Sequence, residues 1–284
     1  MSDFISALQF DFMRNALLAG VLVSLAAGIV GVYVVLNRIT ILSGGIAHAA
    51  YGGVGMAYFF GFDPLLGGVI FSLGASMLMS VVQRRARQRT DMLIGVMWAV
   101  GMAIGIIFVD RTPGYKVDLM SYLFGSLLAV SMKEIWIILL LDGIVLLTVF
   151  ALYRNLLAIS FDETFAIARG VPVNAISLVL TALIALTVVM MMRVVGLILV
   201  IALLTLPAAI ANLFTRDMRL MMALASGLGM IFTISGLWLS YSYNLTSGAA
   251  IILVAATVYL AALVYKRVIS TAGLNYGIKK EIQP

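Results

Sequence analysis

The chain has 284 residues, 63% of them hydrophobic and only 11% charged, with a formal net charge of +6. A water-facing exterior needs far more charge than this, which excludes a soluble domain, and long unbroken apolar blocks exclude the alternating pattern of a membrane β-barrel. What remains is an all-α, polytopic helical membrane protein.

The acidic opening Met1-Ser2-Asp3-Phe4 does not read as a cleavable signal peptide, because the first apolar block leads directly into further ones. A crossing takes roughly 20 predominantly apolar residues. The stretches that qualify are Leu17–Leu36, Gly45–Gly61, Leu65–Val82, Met92–Val109, Ile135–Tyr153, Ala175–Met191, Val194–Phe214, Leu220–Ser240 and Ala249–Tyr265. The expectation is therefore about 8–9 transmembrane helices in a single domain over residues 1–284. The second stretch is short and glycine-loaded and reads as irregular or only partly embedded. The sixth and seventh are separated by little more than Arg193, which marks a tight hairpin. Between the fourth and fifth, Asp118–Val130 reads as a surface-lying or re-entrant helix.

Lys and Arg set the orientation. Arg84, Arg85, Arg87 and Arg89 follow the third stretch, Arg154 and Arg169 the fifth, Arg216 and Arg219 the seventh, and Lys266, Arg267, Lys279 and Lys280 the last. With nine crossings all of these fall on one side, so the N-terminus is expected outside and the C-terminus in the cytoplasm. The positive balance is ordinary for basic cytoplasmic loops and gives no reason to invoke nucleic acid. Small residues clustered in Gly101-Met102-Ala103-Ile104-Gly105 and Ala225-Ser226-Gly227-Leu228-Gly229 predict close helix–helix contact.

One loop does not read as a plain linker. In residues 154–172, Ser160 or Asp162 can cap a short helix with acids in its first turn, and Gly170 with Pro172 stops it. The product is a short amphipathic helix on the cytoplasmic face, with Phe161, Phe165 and Ala168 on or near one side. It is suited either to docking in a groove of a partner or to covering the ends of the spans.

The only histidine, His48, stands within the apolar, glycine-rich run Ser43–Gly55. Imidazole suits a borderline transition metal near neutral pH, and an ionisable group inside a span is costly unless it works. The alternative is a neutral histidine donating one hydrogen bond to a neighbouring helix. Asp142, within the fifth stretch, reads as a pathway carboxylate, as one end of an interhelical hydrogen bond, or as a residue close to the outer interface. With no cysteine there is no disulfide and no thiolate site. The 17 methionines, Met190-Met191-Met192 among them, allow copper(I) in principle but fit irregular helix interfaces better. Trp98, Trp136 and Trp238 read as interfacial anchors.

Four stretches taken in order resemble the permease subunit of ABC importers for divalent transition metals, the zinc/manganese/iron uptake family. They are Ser43–Gly55 with His48, the Asp-x-x-Ser-Tyr-Leu-Phe-Gly pattern from Asp118, the Phe-Asp-Glu…Ala…Gly loop of Ser160–Gly170, and Arg193–Val200 through Leu206-Pro207-Ala208-Ala209. The resemblance runs from about Leu17 to Tyr265. It implies a type II ABC importer-like fold in the cytoplasmic (inner) membrane and a homodimer working with two ABC ATPase subunits. It also implies an extracytoplasmic metal-binding solute receptor that delivers the cargo. Phe161, Asp162, Glu163, Phe165, Ala166 and Gly170 would form the coupling helix. The ion is cargo rather than cofactor, with zinc placed first, then manganese or iron. The chain has no Gly-x-x-x-x-Gly-Lys-[Ser/Thr] phosphate loop, so ATP hydrolysis is expected in the partner and not in this chain.

At the expected metal gate the chain departs from the family pattern. Many members carry an aspartate four residues before the histidine, on the same helical face, and here that position is Gly44, with Ala47 just before His48. Three readings follow: His48 from two protomers completed by water, a substitute carboxylate such as Asp118 or Asp142, or a different or only transiently held cargo. Weak, partly hydrated coordination by His48 is favoured, since an ion held too tightly would not leave. Two other functions compete. A secondary transporter or channel would be expected to carry more intramembrane carboxylates and no docking helix. A chelate or vitamin ABC permease would be longer and would not need a lone histidine.

Overall fold

The computed structural model describes residues 7–85, 90–113, 124–125, 127–197 and 200–281. Among them all regular structure is helical: α1 (Asp11–Leu36), α2 (Thr40–Phe60), α3 (Pro64–Arg85), α4 (Thr90–Arg111), a 3-10 turn (Leu127–Ala129), α5 (Met132–Phe161), α6 (Glu163–Ala168), α7 (Val173–Val195), α8 (Val200–Phe214), α9 (Met218–Tyr243) and α10 (Ser247–Glu281). Seven of these are long and apolar enough on their own to cross a membrane. The other two candidates fall short for different reasons. Helix α8 has only 15 residues, and α2 has 21 but is diluted by glycines and His48.

Two sequence expectations change. The second stretch is not irregular: α2 is one continuous helix, because neighbouring helices enclose it from Leu42 to Gly55. Arg193 does not mark the turn of its hairpin, since α7 runs through it to Val195 and stops at Gly196, whose φ of 82° favours glycine. Most of Asp118–Val130, Asp118 included, lies outside the described residues. At its described end Leu127 is fully enclosed and donates its backbone N–H to Ser247 Oγ at 3.3 Å.

Two helices organise the bundle. Helix α1 packs on α5, α7, α8 and α9, and α2 packs on α3, α4, α7 and α8. Both are held at backbone distance by small residues. A Cβ on Gly101 of α4 would stand 2.5 Å from Ala49 Cα, and one on Gly53 of α2 would run into the Gly67 carbonyl of α3. On the other side, Gly28 of α1 lies against the backbone of Ser226, while Ser24 and Thr233 share a hydrogen bond of 2.9 Å. Lipid gives helices no hydrophobic reason to associate, so this close approach and its dispersion contacts supply the cohesion.

The two ends of the bundle are tied separately. At one end Lys133 pairs with Asp63 at 3.2 Å, while the other Asp63 oxygen accepts Leu65 N–H at 2.9 Å and caps the start of α3. Burial pushes the Asp63 carboxyl up, but the Lys133 ammonium and the two backbone N–H groups outweigh it and hold the group below the usual carboxylate range. At the opposite end Asn37 Nδ2 donates to Ser160 Oγ at 2.9 Å, and Lys266 Nζ to the Leu213 carbonyl at 2.7 Å.

Tight backbone contact at one glycine and open space at another lead to opposite outcomes on substitution. A Cβ on Gly105 would stand 2.6 Å from the Tyr51 carbonyl oxygen, whereas one on Gly143 meets nothing within 4 Å. Gly105→Leu should therefore cost about 1–3 kcal/mol by overpacking, while Gly143→Ala should gain about 0.5–1 kcal/mol of helix stability. Thermal unfolding of the two purified variants in detergent checks this: Gly105→Leu falls and Gly143→Ala holds or rises.

Candidate functional site

Helix α2 carries His48 into the bundle with 6% of its surface exposed. Its Nδ1 lies 2.8 Å from the Gly44 carbonyl oxygen one turn earlier. A carbonyl only accepts, so Nδ1 is the protonated nitrogen and Nε2 keeps a free lone pair, the arrangement a metal-binding imidazole requires. Trp98 of α4 stacks on the ring, with centroids 3.7 Å apart and planes 26° from parallel. The imidazole is thus fixed on one edge by its own helix and on one face by an indole. The sequence reading of Trp98 as an interfacial anchor is corrected here: it is half-exposed, but its ring covers His48. No spacing rule pointed to that pairing, because it is made between two helices.

The position of the missing aspartate is also resolved. A Cβ on Gly44 would stand 2.6 Å from Ile201 Cδ1 and 3.6 Å from the Trp98 ring. The end of an α8 side chain therefore fills the place where a carboxylate would sit. The obstacle is a flexible methyl rather than backbone, so it can yield.

Asp142 is placed elsewhere. It is buried in α5 beside the backbone of Ala26 on α1, and no hydrogen bond of normal geometry reaches either oxygen. The interhelical hydrogen bond considered from sequence is not made. Helix α5 packs on α1 and α7 rather than on α2, so His48 and Asp142 are not brought together. Asp118 lies outside the described residues. Among the described residues no three His, Asp or Glu side chains converge on one point. A first-row divalent ion takes four to six donors, and the described residues supply a single imidazole at this point. Met190, Met191 and Met192 are fully enclosed in α7, the packing role that their spacing suggested.

The second candidate region is the loop that bears α6. Asp162 Oδ1 accepts Phe165 N–H at 3.0 Å, so Asp162 is the cap, while Ser160 remains inside α5 and bonds back to the Leu156 carbonyl. The helix ends when Gly170 takes φ 76°, with Gly170 N–H bonded to Ile167 O at 2.9 Å and Val171 N–H to Ala166 O at 3.0 Å. Ala166 alone is buried, and it seats the short helix on the bundle. Phe161, Phe165 and Ile167 stand 66%, 52% and 60% exposed, and the Arg169 guanidinium lies over the Phe165 ring. Glu163 and Gly170 are exposed beside them. Six residues cannot be a stable helix alone, so the two caps and Ala166 hold this apolar, charge-rimmed knob in shape. Ile167 is the residue of the knob that the sequence reading missed, although its position two after Phe165 placed it in the same loop.

Comparison with known proteins gives one consistent picture. The profile of the ABC 3 transport family matches residues 9–266. The chain is 55% identical over 263 residues to the membrane protein slr2045 of Synechocystis sp., covering 93% of this chain and 94% of that one. It is 34% identical over 258 residues to the manganese transport system membrane protein MntC of Halalkalibacterium halodurans, covering 91% and 88%. In structure it is similar to a chain of PsaBC from Streptococcus pneumoniae, solved in complex with Fab, with a TM-score of 0.84, 33% identity and coverage of 92% and 94%.

The geometry at His48 predicts a gain of function. Gly44→Asp combined with Ile201→Ala removes the methyl that fills the carboxylate position and restores an Asp/His pair one turn apart. The double variant should bind Mn(II) or Zn(II) at least about tenfold more tightly than wild type, the change expected of one added charged ligand. Equilibrium titration of the purified protein measures it, and Gly44→Asp alone should fall between the two.

Proposed function

The chain belongs to the ABC 3 transport family, and on that premise we propose that it is the membrane-spanning subunit of an ABC importer for a divalent transition-metal ion. The observation that carries the reading is agreement in sequence and fold over more than nine-tenths of the chain with proteins named for manganese transport and with PsaBC. That similarity moves manganese ahead of zinc, which the sequence alone placed first; iron comes after them. A single imidazole does not itself choose among these ions.

The protein sits in the cytoplasmic membrane with the basic end of the bundle, α6 included, facing the cytoplasm and the Asp63–Lys133 end outside. Two copies form the pathway. Helix α4 supports this arrangement: it packs on α2 and α3, its apolar window is the least enclosed of the seven candidates at 22%, and it carries Trp98 over His48. A second copy against α4 would bring two imidazoles towards one path, with water completing the shell. Such a site binds loosely enough to release its ion.

Nucleotide hydrolysis belongs to two separate ATPase subunits that receive the α6 knob, and a metal-binding receptor delivers the ion from outside. Closure of the ATPases moves α6 and the two permease halves rock between outward-open and inward-open states. Asn37, which donates to Ser160 beside α6, joins that movement to the start of α2.

Two outcomes test this reading in proteoliposomes holding the permease, its ATPase and its receptor. Wild type should take up Mn(II) in preference to Zn(II) and Fe(II), and His48→Ala should lower uptake at least about tenfold while the complex still assembles. Unchanged uptake would remove His48 from the pathway, and failure with every free ion would point to a chelate. In the same preparation Phe165→Asp should abolish transport-stimulated ATP hydrolysis by placing a charge on the apolar knob, with the thermal stability of the permease itself unaltered.

A further inference from the structure

On the side of α1 away from α2, helices α5 and α9 both pack on α1 and leave a groove of about 1060 Å³ between them. This exceeds the usual span of small-molecule sites, about 300–1,000 Å³. Its length is apolar, with Ile29 of α1 at the floor and Phe150 and Met230 on opposite walls. Phe150 is 85% exposed, so nothing among the described residues covers that wall. At Gly227, which lines the groove, an added Cβ would meet no atom within 4 Å.

The chemistry changes at the basic end. Arg154 of α5 and Arg219 in the first turn of α9 both line the groove there, together with Asn155, and no acidic residue lines it. Arg219 is held over the Tyr153 ring at 5.2 Å. The nearby Asp217 carboxylate is committed to capping α9, accepting the N–H of Arg219 at 2.8 Å. Neither guanidinium is in an ion pair among the described residues. Two cations at the mouth of an apolar groove on the outside of a bundle of membrane-spanning helices call for an anion whose remainder is hydrocarbon.

We propose that this groove is a binding site for an anionic phospholipid, whose phosphodiester bridges Arg154 and Arg219 while its acyl chains lie along α1 between Phe150 and Met230. Guanidinium groups match phosphate oxygens in a fixed fork, and Asn155 supplies a further donor. A second copy of the chain fits the groove poorly, because a two-fold contact there would set the same pair of cations against itself. The site is independent of the cargo and lies across α1 from His48, so its test does not share an outcome with metal transport.

Native mass spectrometry of the full-length chain, titrated with phosphatidylglycerol or phosphatidylcholine, decides the matter. Phosphatidylglycerol should be retained in preference. Arg154→Ala with Arg219→Ala should weaken its retention about 30-fold, about fivefold for each cation. The Lys pair at the same positions should keep most of the binding. Gly227→Leu, which fills open space, should lower retention without lowering the unfolding temperature. Equal retention of the two lipids, retention that survives the double Ala variant, displacement by inorganic phosphate as effective as by lipid, or a change of oligomeric state in place of a change in lipid retention would each overturn the assignment.

Discussion

The structure depends on how closely α2 can be approached. Residues Leu42 to Gly55 are all buried, and the run contains too much glycine, together with a histidine, to partition strongly into lipid by itself. It becomes a span because α3, α4, α7 and α8 cover it. The first two lie closest because Gly53, Gly55, Gly67, Gly101 and Gly105 let backbone meet backbone. The same contacts bring Trp98 onto His48. Fold and candidate site are therefore one set of interactions, and a side chain added at Gly101 would press on the backbone of Ala49 and the His48 carbonyl together.

Most of the architecture was legible because hydropathy reports on single helices, and most spans here are good helices taken singly. The capping of α6 was legible for the same reason: Asp162, Gly170 and Pro172 act within a few residues of chain. What could not be read were the relations between helices. The continuity of α2 comes from its neighbours, and a glycine-rich run seen alone reads as irregular. The Trp98–His48 stack joins residues 50 positions apart, and Ile201 occupies the Gly44 position from a helix that begins 156 residues later. Arg193 looked like a turn because a charge separates two apolar blocks, yet the break falls at Gly196, where the backbone itself changes hand.

Among the described residues, the buried histidine and the buried aspartate, His48 and Asp142, are kept apart. His48 has its ring orientation settled by Gly44 and Trp98, which leaves one nitrogen available. Asp142 has no such support and lies against α1 rather than α2. A carboxylate and an imidazole in one pocket would make a tight divalent site, and tight binding opposes passage. Gly44, with the end of Ile201 in the space beside it, leaves the His48 ring without a carboxylate one turn away. On the proposed reading, an ion meeting that ring would be held loosely.

The connection between the exposed knob and His48 runs along one edge of the molecule. Arg38 takes a positive φ of 56° in the corner between α1 and α2, a conformation few residues other than glycine adopt. That corner is closed by Ile39 N–H to Val34 O at 3.0 Å, and Asn37 Nδ2 bonds both Tyr33 O at 2.8 Å and Ser160 Oγ at 2.9 Å. Ser160 is two residues before the cap of α6. From Thr40, where α2 begins, to His48 the helix rises about 12 Å as a rigid rod. Asn37 thus ties the end of α5, next to α6, to the start of the helix that carries His48. The left-handed turn at Arg38 keeps the corner short, so that Asn37 bonds Ser160 while α2 starts only three residues beyond it.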